Sequence, residues 1–201
     1  MSRVTPKARS ELPELEDVFE RVEKALGFIP NSFFIMGRRP EMLRAFSRLS
    51  REVVGVPGRI SQELKWLIAH IASRSSGCQY CMAHSAKSAN GADQGNIEKI
   101  KALFEYERSE LFSDAEKAAL VIAQAAGTTP SMVSDADMEN LKKYFDEDQI
   151  VEIVGVICLF GWLNRFNDTM ATDLENGPMD FAVNHLAPAG WKVGKHRALG
   201  K

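Results

Sequence analysis

An all-α fold follows from three features of the sequence. Apolar residues recur at a helical period in almost every segment, helix-starting and helix-ending residues punctuate those segments, and period-two strand alternation is absent. Pro13 opens a first helix whose Leu15, Val18, Phe19, Val22 and Leu26 fall on one stripe, and Gly27 ends it. Phe28-Ile29-Pro30-Asn31 makes a turn, and a short apolar helix runs on to Gly37. Pro40 opens the next helix, with Met42, Leu43, Phe46, Leu49 and Val53 inward, and Gly55-Val56-Pro57-Gly58 breaks it.

Ser61 caps the following helix, on which Glu63, Trp66, Leu67 and His70 recur at i, i+3, i+4 and i+7 and share one face. Ser73 to Gly77 breaks that helix, and another, carrying Cys78 and Cys81, runs to about Ala89 before Asn90-Gly91 stops it. The pair forms a helical hairpin with Glu63 and His70 on the wall toward the cysteines. For His70 a packed, hydrogen-bonded core histidine is the competing reading, and Trp66 reads as core. A helix from about Asp93 to Phe104 follows. Ser113-Asp114-Ala115-Glu116 is a capping box for a helix that ends at Gly127-Thr128-Thr129-Pro130, and Ser134 to Asp137 repeats the pattern. The last long helix, about Glu147 to Ala171, is apolar nearly all round, so it is buried centrally or against another subunit, with Cys158 an inert core thiol.

The 201 residues suit a single domain, 1–201, with its core at about 13–175 and a tail over 178–201 that Trp191 can anchor. A hydrophobic content of 45% with 26% charged residues is that of an ordinary globular chain, and a net charge of −2 argues against a nucleic-acid partner. Only the tail is basic (Lys192, Lys195, His196, Arg197, Lys201), which reads as a mobile solvated end. Residues 1–14 carry no apolar signal segment, and the run Ile150–Leu163, interrupted by Glu152, is too short to span a bilayer. An odd cysteine count does not suit a secreted disulfide framework, so no membrane partner and a cytoplasmic location are expected.

Chemistry concentrates in Gly77-Cys78-Gln79-Tyr80-Cys81-Met82-Ala83-His84. Two cysteines one turn apart at a helix start can meet on one face, and the backbone N–H groups there favour a thiolate. His84, one turn beyond Cys81, can hold or pass a proton. Three readings stand: a redox dithiol, a metal site using Cys78, Cys81 and His84, and two cysteines packed as small hydrophobes. No second CxxC and no H-x3–5-H pair completes a zinc set, and no phosphate loop is present, so neither a metal nor an organic cofactor is expected.

The CxxC followed by His84, after an amphipathic helix containing Glu63, resembles the alkylhydroperoxidase D (AhpD-like) branch of the carboxymuconolactone decarboxylase superfamily. Gly27-Phe28-Ile29-Pro30-Asn31, Arg39-Pro40, Ser113 to Leu120 and Trp162-Leu163-Asn164-Arg165-Phe166-Asn167 resemble its peroxidase-related members. The resemblance implies an AhpD-like helical domain that self-associates as a trimer or hexamer. It implies an antioxidant thiol peroxidase that reduces alkyl hydroperoxides or hydrogen peroxide, with Cys81 peroxidatic, Cys78 resolving, and Glu63, His70 and His84 as candidate relay groups. A dithiol reductant, a lipoyl or thioredoxin-like protein, would restore the pair. The alternative is a dithiol–disulfide oxidoreductase or redox sensor. Trp66 stands where the family keeps a glutamate, Tyr80 where it keeps a histidine between the cysteines, and Ser85 where it keeps a histidine after them. Muconolactone decarboxylation does not depend on a CxxC and is disfavoured.

Overall fold

The computed structural model describes residues 2–92 and 95–197. Ten α-helices are present among them, with no β-strand. After two single 3₁₀ turns, α1 (Glu16–Leu26) ends at Gly27, whose φ of 79° is the left-handed cap that glycine adopts without steric cost. Helix α2 (Asn31–Met36) and α3 (Pro40–Ser50) follow, and α3 runs into one wide π turn, Arg51–Gly55. Next come α4 (Gln62–Ser75), α5 (Gln79–Gly91), α6 (Ile97–Ala102), α7 (Asp114–Ala126), α8 (Asp135–Leu141), α9 (Glu147–Met170) and α10 (Asn176–His185). The predicted caps form: Leu64 N–H donates to Ser61 Oγ at 3.1 Å, and Ser113–Glu116 and Ser134–Asp137 close as capping boxes. Asp93 and Gln94, where the sequence analysis begins the sixth helix, lie outside the described residues; Asn96 caps α6.

Helix α4 is the centre of the molecule. It forms the expected hairpin with α5 and also packs on α7 and α9. Nearly all of it is buried, including Lys65. The Lys65 ammonium is not stranded: it donates to Val53 O at 3.1 Å and Val56 O at 3.2 Å, and pairs with Glu152 Oε1 at 2.6 Å. The charge that interrupts the apolar run of α9 is thus the partner a buried lysine requires.

Two expectations about the C-terminal half are corrected. Cys158 is exposed, not a core thiol. Ile153, Val156, Ile157, Leu159 and Phe160 bury one side of α9, whereas Val151, Val154, Cys158 and Trp162 recur at helical spacing on its other side. Val151 there is 71% exposed. By length and composition α9 could cross a membrane, but its buried side is part of the protein core. Residues 176–197 are not a solvated tail either. They form α10 on α5, then two 3₁₀ turns that bury Trp191 and His196. Trp191 Nε1–H donates to Gln79 O at 3.1 Å, His196 Nδ1 bonds Thr172 O at 2.8 Å, and Lys195 pairs with Asp168. The C-terminal segment therefore seals the start of α5.

Candidate active site: a dithiol under an aromatic cavity

Gly77 takes φ 73°, a left-handed turn that ends the α4–α5 connection and sets Cys78 as the N-cap of α5. Cys78 Sγ accepts the Cys81 backbone N–H at 3.3 Å, as a serine oxygen would in this position. The two thiols face each other at 2.8 Å and are unbonded. Both are buried, Cys78 at 0% and Cys81 at 2% exposure. They differ in what they face: Cys81 lines a cavity of about 290 Å³, and Cys78 does not. Burial, then the Cys78 thiol, push the Cys81 thiol well above its ordinary value. The Asn167 amide, 3.8 Å from Cys81 Sγ, works in the opposite direction.

The cavity is walled by aromatic side chains, among them Phe28, Phe33, Phe46, Trp66 and Phe160. Phe46 meets Phe33 edge-on at 5.9 Å and stacks on Trp162 at 4.9 Å; Trp66 meets Phe160 edge-on at 6.1 Å. Trp66, which the sequence assigns to the core, is thus part of this wall.

His84 lines the same cavity, and its partner is one the sequence analysis missed. Glu175, at the N-cap position of α10, does not cap that helix. Its carboxylate turns instead to His84 Nε2 at 2.6 Å, the Tyr80 hydroxyl at 2.8 Å and the Asn31 backbone N–H. Burial raises the Glu175 carboxyl, but the His84 charge and hydrogen bond, then Asn31 and Tyr80, outweigh it and hold the group below the usual carboxylate range. The Tyr80 phenol is pushed up by burial and by the same carboxylate, so it stays protonated and donates. Tyr80 and His84 rings lie 4.4 Å apart, and Phe28 flanks His84 at 5.7 Å.

Glu63 and His70 do share one face of α4 with Trp66, but of the three only Trp66 lines the cavity, which corrects the wall drawn from the helical period. Glu63 is paired with Lys99 of α6 at 3.1 Å, and Lys99 also pairs with Glu116 of α7 at 2.6 Å. His70 bonds Met82 O at 3.0 Å and Ser85 Oγ at 3.2 Å, with its ring edge-on to Phe104. Ser85 Oγ in turn donates to Cys81 O at 2.7 Å, so His70 supports the backbone of the cysteine turn rather than a thiol. Among the described residues no three His, Cys, Asp or Glu side chains form a metal-binding group.

Burial lowers the His70 imidazole to about 4 from 6.5. The unfolded chain therefore binds this proton more readily than the folded one. The stabilisation is complete above about pH 6.5 and is lost as pH falls toward 4, by about 3 kcal/mol for this group. Urea unfolding between pH 4 and 7 is expected to show His70→Gln losing less stability on acidification than the wild type; equal losses would remove His70 as the titrating group.

The family model for the carboxymuconolactone decarboxylase family matches residues 40–125, from α3 through the cysteine turn to the end of α7. The apo debrominase Bmp8 superposes with a TM-score of 0.82 at 36% identity, over 90% of this chain and 96% of that one. A variant of Bmp8 in complex with 2,3,4-tribromopyrrole gives 0.84 at 35% identity, over 92% and 99%. This chain belongs to the carboxymuconolactone decarboxylase family. An AhpD-core, peroxidase-related protein from Ralstonia eutropha JMP134 shares the fold at TM-score 0.77 and 20% identity, over 90% of this chain and 95% of that one. The uncharacterized protein YnjA of Escherichia coli K12 is 36% identical over 94 residues, 46% of this chain, and the match spans half of that protein's length. Asn167 and Glu175 are the site residues to which sequence reasoning gave no role, and Tyr80 was noted only as replacing a family histidine. The signal for Glu175 was an acid two residues before Gly177-Pro178, a helix start that reads as the beginning of a tail.

Proposed function

We propose that the protein is a thiol-dependent oxidoreductase that reduces an organic hydroperoxide with the Cys78–Cys81 dithiol. The observation that carries this reading is the 2.8 Å approach of two sulfurs of which only Cys81 lines the cavity. The Cys81 thiolate attacks the terminal peroxide oxygen, the O–O bond breaks, and Cys81 becomes a sulfenic acid. The departing alkoxide takes a proton, which His84, held by Glu175, is placed to supply. Cys78 then attacks the sulfenic sulfur, releasing water and forming the disulfide. An external dithiol, a lipoyl or thioredoxin-like protein, returns both electrons and both protons.

Similarity to a debrominase solved with a bromopyrrole favours a second reading with the same electron count. There the Cys81 thiolate takes bromine from carbon, the ring carbon gains a proton, and Cys78 displaces bromide to form the same disulfide. The aromatic cavity supports an organic body in either case. A dithiol–disulfide oxidoreductase or sensor would form the disulfide without efficient peroxide turnover.

Reduced protein mixed with one equivalent of cumene hydroperoxide is expected to give one alcohol per Cys78–Cys81 disulfide. Bromide release from a polybrominated pyrrole without alcohol from the peroxide would favour the second reading; thiols left reduced by both would refute the two together. Self-association, as a trimer or hexamer in the cytoplasm, belongs to the same proposal. The exposed Val151, Val154 and Trp162 of α9 support it, and a monomer by light scattering at micromolar concentration would refute it.

A further inference from the structure

The chain as a whole is slightly acidic, with 27 Asp and Glu against 25 Lys and Arg. The cavity over Cys81 has the opposite character. Arg21 of α1, Arg51 of the π turn after α3 and Lys87 of α5 line it, and among the described residues no carboxylate does. Several basic groups are held in close ion pairs: Arg9 by Glu16 and Glu23, Arg44 by Asp17, Lys99 by Glu63 and Glu116. Around the cavity the pairing is weaker, and Arg21 adds only a Coulomb pull on Asp17. Among the described residues Arg21 makes its hydrogen bond to Ser47 Oγ at 3.1 Å, a neutral hydroxyl on the same wall. Lys87 Nζ lies 5.5 Å above the Phe28 ring. Arg51 faces only its neighbour Glu52 at 3.6 Å, with both side chains 59% exposed, a pair that contributes little.

Phe28 joins the two halves of this arrangement, because its ring has Lys87 on one contact and His84 on another. A ligand lying against Phe28 would therefore have its body near the dithiol and its edge near a cation. Three cations on a low-dielectric apolar wall attract an anion more strongly than the same groups in open solvent. Arg21 keeps a planar guanidinium able to take a carboxylate in two parallel hydrogen bonds.

We infer that the substrate is an amphipathic organic anion, with a flat apolar body over Cys81 and an acidic group at the Arg21, Arg51 and Lys87 rim. The inference rests on the reading of this cavity as the substrate site, and it narrows the substrate class from organic hydroperoxides or halides in general to those carrying an acid. Neutral peroxides remain substrates of the dithiol but bind less tightly.

Unreactive probes separate this from the chemistry. Calorimetric titration at low ionic strength is expected to show 2-naphthoate binding at least tenfold more tightly than 2-naphthamide, which has the same ring system and no charge. The difference is expected to shrink as salt rises from 20 to about 500 mM. It is also expected to disappear in the triple variant Arg21→Gln, Arg51→Gln, Lys87→Gln, which circular dichroism can confirm as folded. Equal or tighter binding of the amide, no binding of either probe, or a charge preference that survives in the triple variant would each overturn the inference. None of these outcomes touches the dithiol reading, which is decided separately by peroxide-driven disulfide formation.

Discussion

Cys81→Ser is expected to abolish substrate reduction altogether, a loss of several orders of magnitude, whereas Cys78→Ser is expected to permit one oxidation and then stop. The asymmetry comes from position. Cys81 lines the cavity, whereas Cys78 is fully buried and does not. Helix electrostatics alone would reverse the roles, since Cys78 holds the N-cap and accepts a backbone N–H. Cys81 has no such help: burial first, then the neighbouring thiol, push it up, and the Asn167 amide is its one counterweight. Its oxidation rate should therefore still be climbing with pH above the ordinary thiol range near 8.5. The disulfide follows because the sulfurs already stand within about 1 Å of bonding distance. Mass spectrometry of the oxidised wild type should find two hydrogens lost from the peptide carrying both cysteines, and of Cys78→Ser a sulfenic acid or an intermolecular disulfide. If instead Cys78→Ser blocks the first oxidation and Cys81→Ser does not, the N-cap thiol is the nucleophile.

What the sequence made legible is what local physics decides. Helix starts at Ser61, Ser113 and Ser134 and the stop at Gly27 were readable because a cap depends on three or four neighbouring residues. The pairing of Cys78 with Cys81, one turn apart, was readable for the same reason. Partners distant along the chain were not. The period of α4 correctly puts Glu63 and His70 on one face, but period cannot say which neighbour that face meets, and it meets Lys99, Met82 and Phe104. Apolarity all round α9 suggested that Cys158 was buried, yet part of that apolar surface, at Val151, Val154 and Trp162, is exposed beside it. The basic C-terminus looked solvated because its anchors, Gln79 O, Thr172 O and Asp168, lie between 24 and 112 residues away in sequence.

Glu175 is the sharpest of these omissions, and its substitution carries the second large effect. Glu175→Gln is expected to slow turnover by about 10² to 10³ without removing the dithiol. The carboxylate now accepts from three donors at once: His84 Nε2–H, the Tyr80 hydroxyl and the Asn31 N–H. A glutamine of the same length brings an NH₂ group into this ring of donors, so either one contact becomes donor against donor or His84 must switch tautomer and accept through Nε2. It also removes the negative charge that the cavity-lining histidine faces. A purely structural role would lower stability and leave the rate per folded molecule unchanged, so both are measured. The Glu175 carboxyl is held below its ordinary value in the folded state, so its stabilisation is present above the unfolded value near 4.3 and is lost as pH falls through the folded one. The gap in melting temperature between wild type and Glu175→Gln should therefore be widest above about pH 5 and close toward pH 3. Wild-type turnover in a folded Glu175→Gln protein at pH 7 would take His84 and its partner out of the reaction and leave the departing alkoxide to take its proton from solvent.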